Sequence, residues 1–475
     1  MRLLLLFSFV FGCTLSSAFA QEEPKTAAPQ DPTHEIQELR SELKRLSTRL
    51  EALERGQAKA ALAAAANVST ASPGASEGPP ASSTAPAVAG TEAVLSVEDR
   101  RTIGFFHETT FDFGVDGYYD YNFNHPIGRV NLLRAYDVSS NSFSINQASV
   151  IVEHLPQAQP GKRFGGRIDL QFGQATESTQ GSSANELRPQ VWRNLYQAYG
   201  SYLAPIGSGL EIDFGKWASS LGVEGNYTKD QLNYSRGYLF NLLPFYHVGL
   251  RANYNVSPKV NAAYWLVNGT QQTEDFNGFK SQAFVTTLKP APSLTWNVNY
   301  YFGQEQRDVA AALNPGLPTG PTQPGLPTAN LSPAPDGREH IFDTYATWKA
   351  TPNLTLAGEA DYVISRAQKQ SAPAHVSAGS AYLRYGLPRS WALAGRVEYL
   401  SDRGGLFSGT TQALKEGTFT LEHQFEPGLL MRLEYRRDLS NQHFFLTDEP
   451  GVLNTAQGTA TVGLIYWWGQ KQGSW

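Results

Sequence analysis

Between residues 429 and 438 apolar and charged side chains alternate without a break. Leu429, Met431, Leu433 and Tyr435 fall on one parity; Leu430, Arg432, Glu434, Arg436 and Asp438 fall on the other. Successive side chains of a β-strand point to opposite faces, so the stretch predicts a strand with one apolar and one charged face. The pattern recurs along the chain. Arg163, Gly165, Arg167, Asp169 and Gln171 interleave with Phe164, Gly166, Ile168, Leu170 and Phe172. His247, Gly249, Arg251, Asn253 and Asn255 do so with Tyr246, Val248, Leu250, Ala252 and Tyr254, and Leu294, Trp296, Val298, Tyr300 and Phe302 alternate with polar neighbours. One such strand would suit a soluble sandwich. Repeated segments of about ten residues, rich in aromatics, are the mark of a transmembrane barrel with a wet interior. Shifting residues 429–438 by one position would turn Arg432, Glu434 and Arg436 into lipid, at about 2–4 kcal/mol per basic residue near mid-membrane. The charges are therefore expected to face the lumen.

Sixteen strands are predicted, near 111–123, 142–153, 163–173, 191–203, 208–215, 246–256, 259–268, 279–289, 293–304, 339–350, 353–365, 376–387, 390–401, 413–425, 428–438 and 456–468. Tight turns at 204–207, 257–258, 290–292, 351–352, 388–389 and 426–427 alternate with long connections at 124–141, 174–190, 216–245 and 305–338. Only 154–162 breaks the rhythm. Loops sorted by side are the asymmetry of a bacterial outer-membrane barrel, and sixteen strands match the size class with an aqueous channel. An even strand count places both chain ends on the short-turn, periplasmic side. The expected fold class is thus all-β, a transmembrane antiparallel barrel of about sixteen strands over 105–475, preceded by a short N-terminal coiled coil.

The first hundred residues follow other rules. Arg2, the apolar run Leu3–Gly12 and Ala18-Phe19-Ala20 read as a signal peptide over 1–20. Cys13 admits a lipoprotein site as a rival, against which Phe11 is bulky. Over 34–56 the periodicity becomes helical: Ile36, Leu39, Leu43, Leu46, Leu50 and Leu53 are spaced three, four, three, four, three, a coiled-coil seam expected to lie in the periplasm. An amphipathic helix lying on another surface usually shows a wider apolar stripe. Residues 57–104 are rich in Ala, Pro and Ser and predict a linker.

Composition narrows the function classes. The 475 residues carry a net charge of −5 with no basic block, which argues against nucleic acid as a partner. The single Cys lies in the signal peptide, so cleavage after Ala20 leaves a chain without thiol chemistry. No Gly-x-Ser-x-Gly elbow, phosphate-binding Gly-Lys loop or paired His at metal spacing occurs. No enzyme, cofactor or metal site is expected. Asp112, Asp116 and Asp120 share one face of the first strand and could hold a cation, although solvated lumen carboxylates are the plainer reading.

Several motifs carry a resemblance when taken in order. Gly117-Tyr118-Tyr119-Asp120-Tyr121-Asn122-Phe123-Asn124 opens the barrel, followed by Leu133-Arg134 and Asn146-Gln147-Ala148. Later come Gly215-Lys216, Asn233-Tyr234-Ser235-Arg236, His247-x-Gly249, Asn268-Gly269 and Arg396-Val397-Glu398-Tyr399 with Asp402. Over roughly 105–468 the chain resembles the OmpL-like β-barrel porin family of Gram-negative outer membranes. The resemblance implies a porin-like, oligomeric barrel in contact with the lipid bilayer, a homotrimer by analogy. The chain departs from the pattern in a Pro-rich loop at 314–335 and in running past Trp468 to Trp475, which could serve as an assembly signal.

By parity, Asp116, Asp120, Arg163, Arg167, Asp169, Arg251, Arg396, Glu398, Arg432, Glu434 and Arg436 are expected to line the pore, along with Glu211, Asp213, Glu359, Asp361, Arg384 and Asp438. This near-even mixture would set a transverse field rather than a ring of one sign, so weak ion selectivity is expected. The third long loop, 216–245, is the constriction candidate by fold-level analogy, with Glu224, Lys229, Asp230 and Arg236 as its charges. Its aromatics, Trp217, Tyr227, Tyr234 and Tyr238, could stack on sugars or pack the loop against the wall. Two functions remain: passive diffusion of small hydrophilic solutes or ions, and an envelope anchor whose coiled coil contacts peptidoglycan or a periplasmic partner.

Overall fold

A computed structural model describes residues 104–180, 186, 188–307, 336–471 and 474–475. The signal peptide, the coiled-coil seam and most of the linker, like the Pro-rich loop, lie outside the described residues. In chain order the strands are β1 (Thr109–Asn122), β2 (Ser142–His154), β3 (Phe164–Phe172), β4 (Leu195–Ala204), β5 (Leu210–Ala218), β6 (Tyr246–Ser257), β7 (Val260–Val267), β8 (Ser281–Ala291) and β9 (Leu294–Gly303). Then follow β10 (Glu339–Lys349), β11 (Leu354–Ser365), β12 (Ala374–Leu387), β13 (Trp391–Arg403), β14 (Gln412–Glu426), β15 (Leu429–Ser440), β16 (Phe445–Leu446), β17 (Leu453–Asn454) and β18 (Ala456–Gly469).

Sixteen of these close one antiparallel barrel, each strand beside its chain neighbour, with β18 joining β15 to β1; β16 and β17 form a separate small hairpin. Closure removes every sheet edge, which a strand in hydrocarbon needs because lipid offers no hydrogen-bond partner. Both barrel termini stand at the short-turn end: Thr109 pairs with His154, and Asp112 with Gly469.

The register in β15 puts Arg432 at 2% and Glu434 at 5% exposure, whereas Leu433 and Tyr435 are 38% and 47% exposed on the outer face. The outer face elsewhere carries Phe164, Ile168, Phe284, Trp296, Val397, Phe419 and Val462 in the same way. Strand β4 begins at Leu195 rather than 191 because Pro189–Trp192 forms a helical turn, with Pro at a position where its missing N–H is harmless.

The interior departs from the uniformly wet lumen that alternation predicts. Along β7 to β11 the inner face is partly apolar: Trp265, Val267, Ala283, Val285, Tyr301, Ile341 and Val363 pack with Trp217, Leu221 and Leu243. Leu221 and Leu243 belong to the segment 219–245 that joins β5 to β6, so this chain segment enters the barrel and its apolar ends dock on an apolar patch of wall.

Candidate functional site

Inside the barrel, the third loop (219–245) presents bare backbone to the wall. Buried N–H and C=O groups need partners, and an irregular segment cannot supply its own. The inward charges of the strands supply them. Glu434 accepts the N–H of Tyr234 at 2.6 Å and of Ser235 at 2.9 Å. Glu398 accepts the N–H of Tyr238 at 2.6 Å. Arg432 donates to the carbonyls of Thr228 (2.7 Å), Asn233 (3.0 Å) and Gln231. Arg396 donates to the Ser235 carbonyl at 2.7 Å and pairs with Glu224 at 2.6 Å, and Arg436 reaches the Arg236 carbonyl at 2.5 Å. Farther round the same arc, past β18, Tyr234 Oη donates to Asp116 at 2.8 Å, Tyr227 Oη donates to Asp169, and Gln147 donates to the Asn226 carbonyl at 2.8 Å. The loop, rooted between β5 and β6, therefore reaches across the lumen to one arc of wall, running β13, β14, β15, β18, β1, β2 and β3, which holds it.

The wall charges are neutralised locally. Arg396 and Arg436 flank Glu416; Arg436 also pairs with Asp438, which pairs in turn with Arg134 from the first loop. Arg432 and Arg384 share Glu422, and Arg167 joins Glu153 and Asp169. Ion pairs this buried need close partners and further hydrogen bonds to offset desolvation, and loop carbonyls supply such bonds to Arg396, Arg432 and Arg436.

This geometry changes the reading of most candidate pore charges. Asp116, Asp120, Arg167, Asp169, Arg396, Glu398, Arg432, Glu434 and Arg436 face inward but are buried, so they hold loops instead of lining open water. Their opposite charges sit side by side on one wall, not across the lumen, so no broad transverse field arises from them. Arg163 and Arg251 are half-buried near the short-turn mouth; Arg251 pairs with Asp213 at 2.8 Å, and Arg163 donates to the Leu203 and Ala158 carbonyls.

Among the constriction candidates, Arg236 is fully buried and staples the loop to itself through the carbonyls of Gly225, Asn226 and Tyr234, its guanidinium 4.4 Å from the Tyr136 ring. Glu224 accepts the N–H of Gly237 at 2.6 Å besides pairing with Arg396. Lys229 and Asp230 pair at 2.9 Å, and the Lys229 ammonium lies 4.4 Å from the Trp475 ring. Burial pushes that ammonium below its usual range, against the pull of Asp230. Tyr227, Tyr234 and Tyr238 of the loop, and Trp217, which belongs to β5, are all buried, which leaves no ring face open for a sugar.

Trp475 folds back into the barrel, its ring 5.4 Å from Tyr227 and its N–H on Asp230 at 3.0 Å. Gly114 of β1 makes the room, since a Cβ there would lie 2.7 Å from the Trp475 ring. The aromatic that ends the last strand on the outer face is Trp468.

The three aspartates of β1 do not converge. Positions four apart on a strand are separated by about 13 Å, and each has its own surroundings: Asp112 accepts the Lys471 N–H, Asp116 the groups above, and Asp120 those of Asn131 and Thr461. A different acidic group does converge: Asp343 of β10 with Glu359 and Asp361 of β11, beneath the start of the third loop. Between the loop's far end and the long-loop mouth lies a cavity of about 240 Å³, bordered by Asn241, Leu242, Glu305, Glu339 and Phe407.

Comparison with solved structures finds the chain similar to outer-membrane-expressed OmpT of Vibrio cholerae, at 10% identity and a TM-score of 0.47 over 76% of this chain and 97% of that one. It is also similar to the anion-selective porin of Comamonas acidovorans (7% identity, TM-score 0.47, 76% and 99% covered) and to the outer membrane channel DcaP of Acinetobacter baumannii (9%, 0.49, 76% and 97%). No curated protein sequence matches. The sequence profile of the family described as "Putative beta-barrel porin-2, OmpL-like" matches residues 109–467, nearly the whole barrel. The chain belongs to that family of porin barrels, which together with the closed sixteen-stranded fold puts it in the bacterial outer membrane.

Proposed function

We propose that the protein is a passive diffusion channel for small hydrophilic solutes or ions, with the third loop setting the size limit. One observation carries the reading: a loop that reaches across the barrel and is hydrogen-bonded along its backbone to the wall facing its root narrows a lumen without sealing it by an independent domain. Water-accessible inner positions remain at the short-turn mouth, around Glu211, Arg251 and Asn253, and a cavity lies on the other side of the loop. The open inner charges are few and of both signs, which favours weak ion selectivity. The proposal is passage and not catalysis. Assembly as a homotrimer, with the Ile36–Leu53 seam associating chains in the periplasm, is part of it.

The test is conductance of purified, refolded protein in planar lipid bilayers, followed by reversal potential in a salt gradient. Stepwise openings with a small reversal potential are expected. Absence of conductance from folded barrels would overturn the channel reading and leave the envelope anchor. Deleting residues 36–90 separates the two further: conductance per barrel stays unchanged if passage is the function.

A further inference from the structure

The acid group on the β10–β11 wall is buried without a counter-charge among the described residues. Asp343 and Asp361 are direct cross-strand partners, Glu359 lies two residues along β11 on the same inner face, and carboxylate oxygens of all three come within 4.8 Å of one another. All three are more than nine-tenths buried. No ion pair between described residues involves any of them; the inner arginines are engaged elsewhere. The loop satisfies only the outer oxygens, through the Gly222 N–H on Asp343 Oδ2 at 3.2 Å and the Val223 N–H on Glu359 Oε2 at 3.0 Å.

An independent neutral group points to the same place. Asn299 of β9, 3% exposed, is the cross-strand partner of Asp343 and donates its amide to Asp343 Oδ2 at 2.7 Å, leaving its own Oδ1 without a partner. Asp343 Oδ1, Glu359 Oε1 and both Asp361 oxygens are likewise without hydrogen-bond donors. Four oxygens of the three clustered carboxylates, and Asn299 Oδ1 on the side chain hydrogen-bonded to them, are therefore buried with no donor. Buried like charges this close cannot all stay ionised unless something positive neutralises them. Protons shared between the carboxyls are one solution, but they leave the Asn299 carbonyl unexplained.

We propose that Asp343, Glu359, Asp361 and Asn299 bind a hard divalent cation of the calcium class. Calcium takes six to eight oxygens at about 2.3–2.6 Å, so ligands of one ion stand at most about 4.6–5.2 Å apart, a limit these oxygens meet by lying within 4.8 Å of one another, with waters filling the remaining positions. Magnesium, at about 2.1 Å and strictly octahedral, wants a smaller cage. The bound ion draws β10 and β11 together directly under Gly222 and Val223 and so fixes the entry of the third loop. This assignment does not rest on the channel reading.

The experiment uses the full refolded protein in detergent, stripped with EDTA and titrated with Tb³⁺. Tyr345, cross-strand partner of Glu359, serves as the sensitiser. One Tb³⁺ per chain is expected, displaced by Ca²⁺ and not by equal Mg²⁺, with Ca²⁺ raising the unfolding temperature. Asp361→Asn should weaken binding at least 100-fold and abolish the thermal response to Ca²⁺. Asn299→Leu, which leaves the carboxylates in place and guards against a folding failure of the first variant, should weaken it about tenfold. Absence of sensitised emission in the wild type, or emission that persists unchanged in both variants, overturns the site. A wild type indifferent to Ca²⁺ and a more stable Asp361→Asn would assign the cluster to shared protons and overturn it too.

Discussion

Replacing Glu434 by glutamine asks whether wall charge or packing holds the third loop across the lumen. Glu434 Oε2 accepts the Tyr234 N–H and the Thr420 hydroxyl, while Oε1 accepts the Ser235 N–H. Glutamine reproduces one side only. With its carbonyl oxygen in the Oε2 position, its amide faces the Ser235 N–H, donor against donor. A bond to a charged acceptor is lost, worth about 1.5–3 kcal/mol, and a buried N–H is left without a partner. Taking about 2–3 kcal/mol as the net cost, the population detached at Tyr234–Ser235 rises about 30- to 150-fold, at tenfold per 1.4 kcal/mol. Amide hydrogen exchange of the peptide 226–240 in folded, detergent-solubilised protein reads that population, since protection measures local opening. Thr420→Val removes the hydroxyl that donates to this carboxylate and accepts the Asn233 amide, but it takes no acceptor from a loop N–H, so it should give a smaller step at Tyr234 and Ser235, about 1 kcal/mol or fivefold. Protection at Tyr234 and Ser235 within about threefold of wild type, on barrels that keep their heat-modifiable migration, would refute the reasoning: packing of Leu221 and Leu243 would then suffice to hold the loop.

The same framework makes two further predictions. Leu433→Arg places a guanidinium on the lipid face beside Leu421 and Val462 and should cost about 2–4 kcal/mol if that position lies near the bilayer midplane, measured by reversible unfolding from vesicles. A cost near zero would mean that the outer face of β15 is not in lipid. Gly114→Ala adds a Cβ 2.7 Å from the Trp475 ring, so Trp475 should leave the interior and become quenchable by acrylamide; overpacking of this kind costs about 1–3 kcal/mol, a cost that Trp475→Ala in the same chain should remove.

Strand-by-strand architecture was legible from the chain because lipid and lumen impose opposite demands on adjacent residues. Alternation in 163–172, 246–255, 294–303 and 429–438 set which face each side chain takes, and the contrast of tight turns with long loops set the strand count and the end at which the termini lie. The role of the inner charges was not legible. Parity places Arg396, Arg432, Glu434 and Arg436 inside the barrel, but it is silent on what stands opposite them. Only the tertiary structure brings residues 224–238 within reach, about 200 positions away from Glu434 and Asp438 in the chain. Arg236, read as a free charge, becomes a staple for its own loop because three carbonyls converge on it. The grouping of Asp343 with Glu359, Asp361 and Asn299 depends in the same way on the register between β9, β10 and β11. Local periodicity decides the face because each residue meets its solvent alone; partnership across a lumen depends on closure and register, which no local pattern encodes.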